Sequence, residues 1–401
     1  MNSDVEVVLR GIKAAGGYAV IVGGSVRDQV MGLGGKDVDI EVYFLSPSQL
    51  QGALERVASV TEAGKSFGVF KVRSGTTDID VSLPRTDSKV GPGHRGFEVK
   101  VDSRLDLRSA CKRRDFTMNA LMLDPDSGTI FDFHDGLGDI ARRCIRHVDD
   151  STFGDDPLRV LRAIQFVARL GFWIHPFTVD VCFPLKDRYT ELSKERVWTE
   201  WEKIGTKGVH IHKALYALDD TGWTGMFPEL VLCSGFRADF TASRADQCKI
   251  KGEDRLVLVF AALLDGLGTE LVVSFLERIG CPGHIVKRIV PLVENIPAFD
   301  EPETLAGVRR LARDLVPSSI AELHFVRSSD DWMREAVLAG VSSGPEKPIL
   351  TGDDLIAAGM KPGPDFKIIL RDAVDAQDAG EFRDKDGALI WLAVHYLAAR
   401  R

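Results

Sequence analysis

The sequence predicts an α/β head, a mixed sheet with helices, followed by an all-α remainder. Three observations carry this. In the first third, short apolar or alternating runs are divided by Gly-bearing turns, the pattern of strands. Beyond about residue 150, apolar residues recur at helical spacing almost throughout. Hydrophobic content of 44% and charged content of 27% suit globular domains, and no apolar run approaches the ~20 residues of a membrane-spanning helix.

The elements follow in order. YAVIV (18–22) is a short apolar strand that runs into Gly23-Gly24 and an amphipathic stretch from Ser25 to Met31. VDIEVYF (38–44) alternates as a strand does. SPSQLQGALERVA (46–58) opens on a serine cap signal and reads as a helix. FGVFKVR (67–73) and DIDVSLP (78–84) read as strands joined through SGTT, a hairpin candidate. A polar loop is expected from Arg85 to Gly96. Farther on, DPLRVLRAIQFVARLGF (156–172) reads as a helix ending at Gly171, and ELSKERVWTEWEKI (191–204) as another, with Ser193 a candidate cap. There is no internal repeat and no low-complexity tract.

The formal net charge of −8 does not advertise nucleic-acid binding, although a local basic groove can sit on an acidic protein. Six scattered cysteines without a CxxC pair suggest neither a zinc site nor a disulfide framework. The opening MNSDVEVVLRGIKAAGG has no signal-peptide pattern. A cytoplasmic protein without membrane attachment, monomer or homodimer, is the expectation.

The chemistry concentrates in VGGSVRDQVMGLGGKDVDIEV (22–42). A strand runs into Gly23-Gly24, and a helix starts at Ser25. Glycines let the backbone approach a ligand closely, and a helix N-terminus offers N–H groups suited to phosphate. Asp37 and Asp39 are two apart on a strand, so both point to one face. Two carboxylates there suit hard cations, and Asp80 on another strand is the candidate third. Metals about 4 Å apart would activate a hydroxyl and neutralise a leaving pyrophosphate. The bland alternative is a Gly-Gly turn with solvated acids at a strand end.

GGSVRD…KDVDIEVY resembles the signature of the nucleotidyltransferases, and specifically the class II CCA-adding enzymes and their bacterial poly(A) polymerase relatives. The resemblance extends through nearly the whole chain and is strongest over 18–205. It implies a nucleotidyltransferase head (1–135), a helical neck (136–205), a helical body (206–300) and a helical, tRNA-binding tail (301–401). It implies addition of C, C and A to the 3′ end of tRNA from CTP and ATP, with Mg²⁺ or Mn²⁺. By this resemblance Asp37 and Asp39 are metal ligands, Asp80 is the third catalytic carboxylate, and Gly23, Gly24 and Arg27 form the phosphate-cradling turn.

CKRRDFTMNAL (111–121) resembles the motif that contacts ribose and phosphates. Arg113 and Arg114 supply guanidinium forks for phosphate. Asp115 can accept from a ribose 2′-OH, and Asn119, four residues on, would share its face in a helix.

DDPLRVLRAIQF (155–166), with Asp156, Arg159 and Arg162, resembles the segment that stands in for a template. A carboxylate accepts from the exocyclic amine of C or A, and a guanidinium donates to the ring nitrogen. U and G present the opposite pattern and are rejected. Taken alone, Asp before Pro at a helix start reads first as a cap, and it is the resemblance that favours the template role. PRTDSKVGPGHRGFEV (84–99) resembles the flexible segment tied to the switch from C to A, with Lys89 and Arg95 as its cations; an ordinary surface loop is the other reading.

In the C-terminal half, relatives carry a His-Asp phosphohydrolase motif, and AALLDGLGT (261–269) places Leu264 at the histidine position before Asp265. A leucine cannot ligate a metal, so no such second activity is expected. Lys249, Lys251, Lys287, Arg288, Arg309, Arg310 and Arg313 are candidate contacts to RNA phosphates, or solvated charges. A poly(A) polymerase is expected to carry a strongly basic C-terminal extension, which ALIWLAVHYLAARR is not. A-only addition remains an alternative, as does a catalytically idle RNA-binding relative.

Overall fold

The computed structural model describes residues 3–34, 38–62, 68–89, 97–296, 304–328 and 330–397; Asp37, Arg95 and the side chain of Lys89 lie outside what is described. The chain packs as two compact units, one of residues 1–201 with 213–228, the other of 202–212 with 229–401.

The first unit opens with α1 (Ser3–Ala14), which carries acids in its first turn, Lys13 in its last, and Val5, Val8 and Ile12 on its buried face. Then come β1 (Tyr18–Val22), α2 (Gly24–Val30), β2 (Val38–Tyr43) and α3 (Pro47–Glu55). Ser46 and Gln49 close a capping box on α3, with Pro47 in its first turn, as the serine signal led one to expect. Next are β3 (Ser59–Glu62), β4 (Val69–Ser74) and β5 (Thr77–Ser82). The last two form the expected hairpin, turning through Gly75 at φ 56°, where the Asp4 carboxylate accepts from Thr77 Oγ1 at 2.9 Å.

With the short β8 (Met122–Leu123) and β9 (Ile130–Phe131), the described strands form a sheet in the order β3-β4-β5-β2-β1-β8-β9. It is mixed, as expected: β2 and β5 run parallel, and the other neighbours antiparallel. One face packs Ile40, Val42, Phe70, Val72, Ile79 and Val81 against α1 and α3. The opposite face packs Val20, Val22 and Tyr43 against Ala110, Cys111 and Met122. Alternation therefore turns Asp39, Glu41 and Tyr43 of β2 to this second face.

The loop expected from Arg85 needs correction. Arg85–Lys89 is β6, paired antiparallel with β7 (Phe97–Val101) in a separate two-stranded ribbon. Apolar alternation is absent from RTDSK because a two-stranded ribbon does not require a buried row on every strand; backbone pairing with FEVKV sets the structure.

After α4 (Leu107–Cys111) and α5 (Gly136–Arg142), β10 (Cys144–Ile145) pairs in parallel with a later β11 (Trp173–Ile174). Between them lie α6 (Asp150–Phe153) and α7 (Leu158–Leu170); Gly171 ends α7 in the left-handed region at φ 67°. The second unit is helical. Leu264 is fully buried there, and Asp265 forms an ion pair with Arg237 Nε at 2.8 Å and accepts from Arg327 Nη1 at 3.3 Å.

Candidate active site

Asp39 and Asp80 occupy adjacent parallel strands as direct Cα partners, so their carboxylates leave the same face, and both are exposed. Lys71 of β4 lies opposite Asp80 in register. Val22, at the end of β1, pairs with Asp39, which delivers the Gly23 turn beside the carboxylates. Gly23 adopts φ 77°, ψ −141°, outside the regions open to other residues. A methyl on its Cα would sit 3.2 Å from Asp39 Oδ2 and 3.3 Å from Arg114 Nη1. Glycine is favoured there by conformation, and a methyl would in addition crowd the two side-chain ends. Asp39 and Asp80 supply the hard oxygen donors that Mg²⁺ takes, so this donor set fits the ion. Among the described residues no group of three His, Cys, Asp or Glu forms a ready metal cage.

Behind Asp39 sits a residue that sequence reasoning missed. Glu41, on the same face of β2, is fully buried. Its Oε2 accepts from Arg113 Nη2 at 2.8 Å and lies 3.7 Å from Arg114 Nη2. The Tyr43 hydroxyl donates to Oε1 at 2.5 Å. Burial, and then the Glu41 charge, pushes the Tyr43 hydroxyl far above its ordinary range, so it stays a donor. The signal for Glu41 was the period-two run Asp39-x-Glu41-x-Tyr43.

Arg27, Arg114, Asp115, Asn119 and Arg162 are brought together, mostly into one chain of polar contacts. Arg27 is buried; its Nε donates to Asp28 at 2.8 Å and its Nη1 to Asn119 Oδ1 at 2.7 Å. Asn119 Nδ2 donates to Asp115 Oδ1 at 3.0 Å, and Arg162 Nε to Asp115 Oδ2 at 2.8 Å. The guanidiniums of Arg27 and Arg162 both lie over the Phe166 ring. Asp115 and Asn119 do not share a continuous helix, since only Thr117–Asn119 is a 3₁₀ turn, yet their side chains meet. With Phe116 N also donating to it, Asp115 already holds several donors, and a ribose 2′-OH would compete with bonds in place.

Burial raises the Asp115 carboxyl, but the Arg162 guanidinium, followed by the Asn119 amide, outweighs it and holds the group at about 2. A carboxyl lowered on folding stabilises the fold above its unfolded value, near 4, and loses that contribution as pH falls toward its folded value. Urea unfolding of wild type and Asp115→Asn should therefore differ by on the order of 2 kcal/mol at pH 6, with the gap closing between about pH 4 and 2. A constant gap across that window would contradict the assignment.

Asp156 precedes α7 and Arg159 lies in its first turn, where Arg159 N donates to the Asp156 carbonyl at 3.1 Å, while their side chains take other partners. Asp156 Oδ1 accepts from Leu158 N at 3.2 Å, a capping contact, and Oδ2 from Arg196 Nη2 at 2.6 Å. Arg159 donates from Nη1 to Thr152 O at 3.0 Å and from Nη2 to Arg113 O at 2.6 Å. Its guanidinium is thus tied to the backbone of Arg113.

A family model described as the poly(A) polymerase head domain matches residues 19–146, the span that carries Gly23, Arg27, Asp39, Glu41, Asp80 and Arg113 to Asn119. A multifunctional CCA protein of Nitrosospira multiformis is 31% identical over 333 residues, covering 76% of each chain. The chain belongs to the family of the CCA proteins. The resemblance read from the Gly-Gly and Asp-x-Asp motifs is borne out. A multifunctional CCA protein of Xanthomonas campestris pv. campestris is 38% identical over 229 residues, 55% of this chain and 53% of that protein, so the chain spans about half the length of this relative in the match. The crystal structure of the Bacillus stearothermophilus CCA-adding enzyme in complex with CTP superposes with a TM-score of 0.78 at 25% identity, covering 100% of this chain and 99% of that one. The mixed-sheet head followed by helices is therefore a CCA-family fold. No helix among the described residues is long and apolar enough to cross a membrane.

In the second unit the structure sorts the seven candidate cations. Arg288 pairs with Glu253, Asp254 and Glu322, Arg313 with Asp378, and Arg309 is buried. Lys249, Lys251, Lys287 and Arg310 are exposed.

Proposed function

We propose that this chain adds C, C and A to the 3′ end of tRNA from CTP and ATP, without a template and with release of pyrophosphate. The observation that supports this most is the in-register pair Asp39 and Asp80 beside the Gly23 turn, in a CCA-family head. The primer 3′-oxygen forms a bond to the nucleotide α-phosphorus, and the bond to the pyrophosphate oxygen breaks. Asp39 and Asp80, with Asp37 from outside the described residues, would hold Mg²⁺ or Mn²⁺; the chemistry supplied there is activation of the hydroxyl and neutralisation of the leaving pyrophosphate. Gly23 and Gly24 open a close approach for the triphosphate. Arg113 and Arg114 receive its charge. Arg27, Asn119, Asp115 and Arg162 hold the nucleotide-binding wall in place, and Asp156 and Arg159 read the base edge. Lys89 and Arg95 belong to the segment assigned to the C-to-A switch.

We assign 1–135 as head, 136–205 as neck, 206–300 as body and 301–401 as tail, acting in the cytoplasm. Lys249, Lys251, Lys287 and Arg310 are the cations left to meet the phosphates of the acceptor arm. The test offers tRNA lacking CCA, ending in C, or ending in CC, with labelled CTP or ATP. Products extended by three, two and one residues are expected. Addition of A alone, or of a long A tail, would overturn the reading.

We also propose that the body has no phosphohydrolase activity, because guanidiniums bracket Asp265 beside a buried Leu264. No Ni²⁺- or Co²⁺-stimulated hydrolysis of 2′,3′-cyclic phosphates is expected. Hydrolysis that disappears in Asp265→Ala would contradict this.

A further inference from the structure

The carboxylate behind the Gly23 turn is spent on arginines rather than exposed beside Asp39. Glu41 is fully buried, yet its neighbours in register are Val20 and Ser82, neither of which neutralises it. Its charge is answered instead by two guanidiniums brought from 72 and 73 residues away in sequence, Arg113 at 2.8 Å and Arg114 at 3.7 Å. Tyr43 OH fixes the other oxygen, so the carboxylate cannot turn. Arg113 is also held by its carbonyl, which accepts from Arg159 Nη2. Arg114 is the looser member of the pair, and its Nη1 reaches the space beside the Gly23 Cα and Asp39 Oδ2.

Glu41 thus anchors both guanidiniums from behind, and the free face of the Arg114 fork is aimed at the turn, where Asp39 Oδ2 also lies. We propose that Glu41 is a positioning residue for triphosphate binding: braced by Tyr43, it clamps Arg113 and Arg114 so that the Arg114 fork is presented at the Gly23 turn. This rests on the reading of Arg114 as a phosphate contact. Without Glu41 the two guanidiniums repel each other and swing toward solvent, and each nucleotide must then reorganise them on binding. The base edge is read elsewhere, so CTP and ATP should suffer equally.

The experiment measures KM and kcat for CTP and ATP on tRNA ending before CCA and in CC. The proteins are wild type, Glu41→Gln, Tyr43→Phe, Arg114→Ala and the double variants. Glu41→Gln is expected to raise KM for both nucleotides by the same factor, about tenfold, with kcat nearly unchanged. In the Arg114→Ala background it should add nothing, because the arginine through which it acts is gone. If Glu41→Gln does not fold, Tyr43→Phe keeps the charge and should raise KM about threefold, again only when Arg114 is present. A KM rise of equal factor with and without Arg114 would mark a merely structural role and overturn the proposal. So would an unchanged KM in Glu41→Gln while Arg114→Ala raises it. An unchanged KM in Arg114→Ala itself would overturn the phosphate reading of Arg114, and this proposal with it.

Discussion

Asp39→Ala is expected to abolish transfer of CMP and AMP alike, lowering kcat/KM by at least about a thousandfold. The size follows from its place. Asp39 is exposed on the face it shares in register with Asp80 and stands beside the Gly23 turn, where it serves the proposed cation site and no core. Losing a hard-oxygen ligand removes the stabilisation of charge at the attacking and leaving oxygens together. Both nucleotides pass through this chemistry, so neither is spared. Asp80→Ala should act in the same direction. The fold should survive, because an exposed strand carboxylate contributes little to stability. The check is single-turnover incorporation of labelled CTP on tRNA lacking CCA and of ATP on tRNA ending in CC, with melting temperatures measured on the same samples. Activity of Asp39→Ala within tenfold of wild type would remove the metal assignment. Full activity in excess chelator would do the same.

The parts of this site that could be read in the sequence are those whose geometry is local. Asp39 and the turn at Gly23-Gly24 lie on consecutive elements, and strand periodicity alone settles the face of the carboxylate. The cap at Ser46 and the stop at Gly171 are likewise decided within a few residues. The burial of Glu41 was not legible, although the period-two run places it on the face of Asp39. A glutamate alternating with apolar neighbours reads as a solvated strand face, and only Arg113, 72 positions later, makes its burial tolerable. The same distance hid Arg162 as the partner of Asp115, 47 positions away, and Arg196 as the partner of Asp156, 40 away. The strand at Arg85–Lys89 was missed for a related reason: its partner FEVKV, not its own polar sequence, makes it a strand. Asn119 met Asp115 as expected, but through a turn rather than a helix face.

The contacts of Asp156 are compatible with a helix cap and with the proposed template role alike, and nucleotide choice separates the two. Oδ1 accepts from Leu158 N, as a cap does, while Oδ2 is held by Arg196, which gives the carboxylate a fixed direction that a cap alone would not need. Asp156→Asn keeps the capping oxygen, since asparagine caps well. It weakens the ion pair with Arg196, so some loss of melting temperature is expected under either reading and decides nothing. The decisive change is at the other oxygen, where an amide can donate. U presents a carbonyl where C presents its amine. UTP incorporation relative to CTP should therefore rise by at least about tenfold in Asp156→Asn. Arg159→Ala should weaken C and A addition together, by about ten- to a hundredfold, because one guanidinium serves both ring nitrogens. It also releases the Arg113 carbonyl, so part of its loss should appear in KM for both triphosphates. The measurement is relative incorporation of UTP, GTP, CTP and ATP on a tRNA primer by wild type and both variants. Unchanged preference in both, with only a lower melting temperature, would make Asp156 a helix cap braced by Arg196. Base selection would then have to be sought on other residues, while the assignment of Asp39 and Asp80 would stand, because it rests on a different pair of strands.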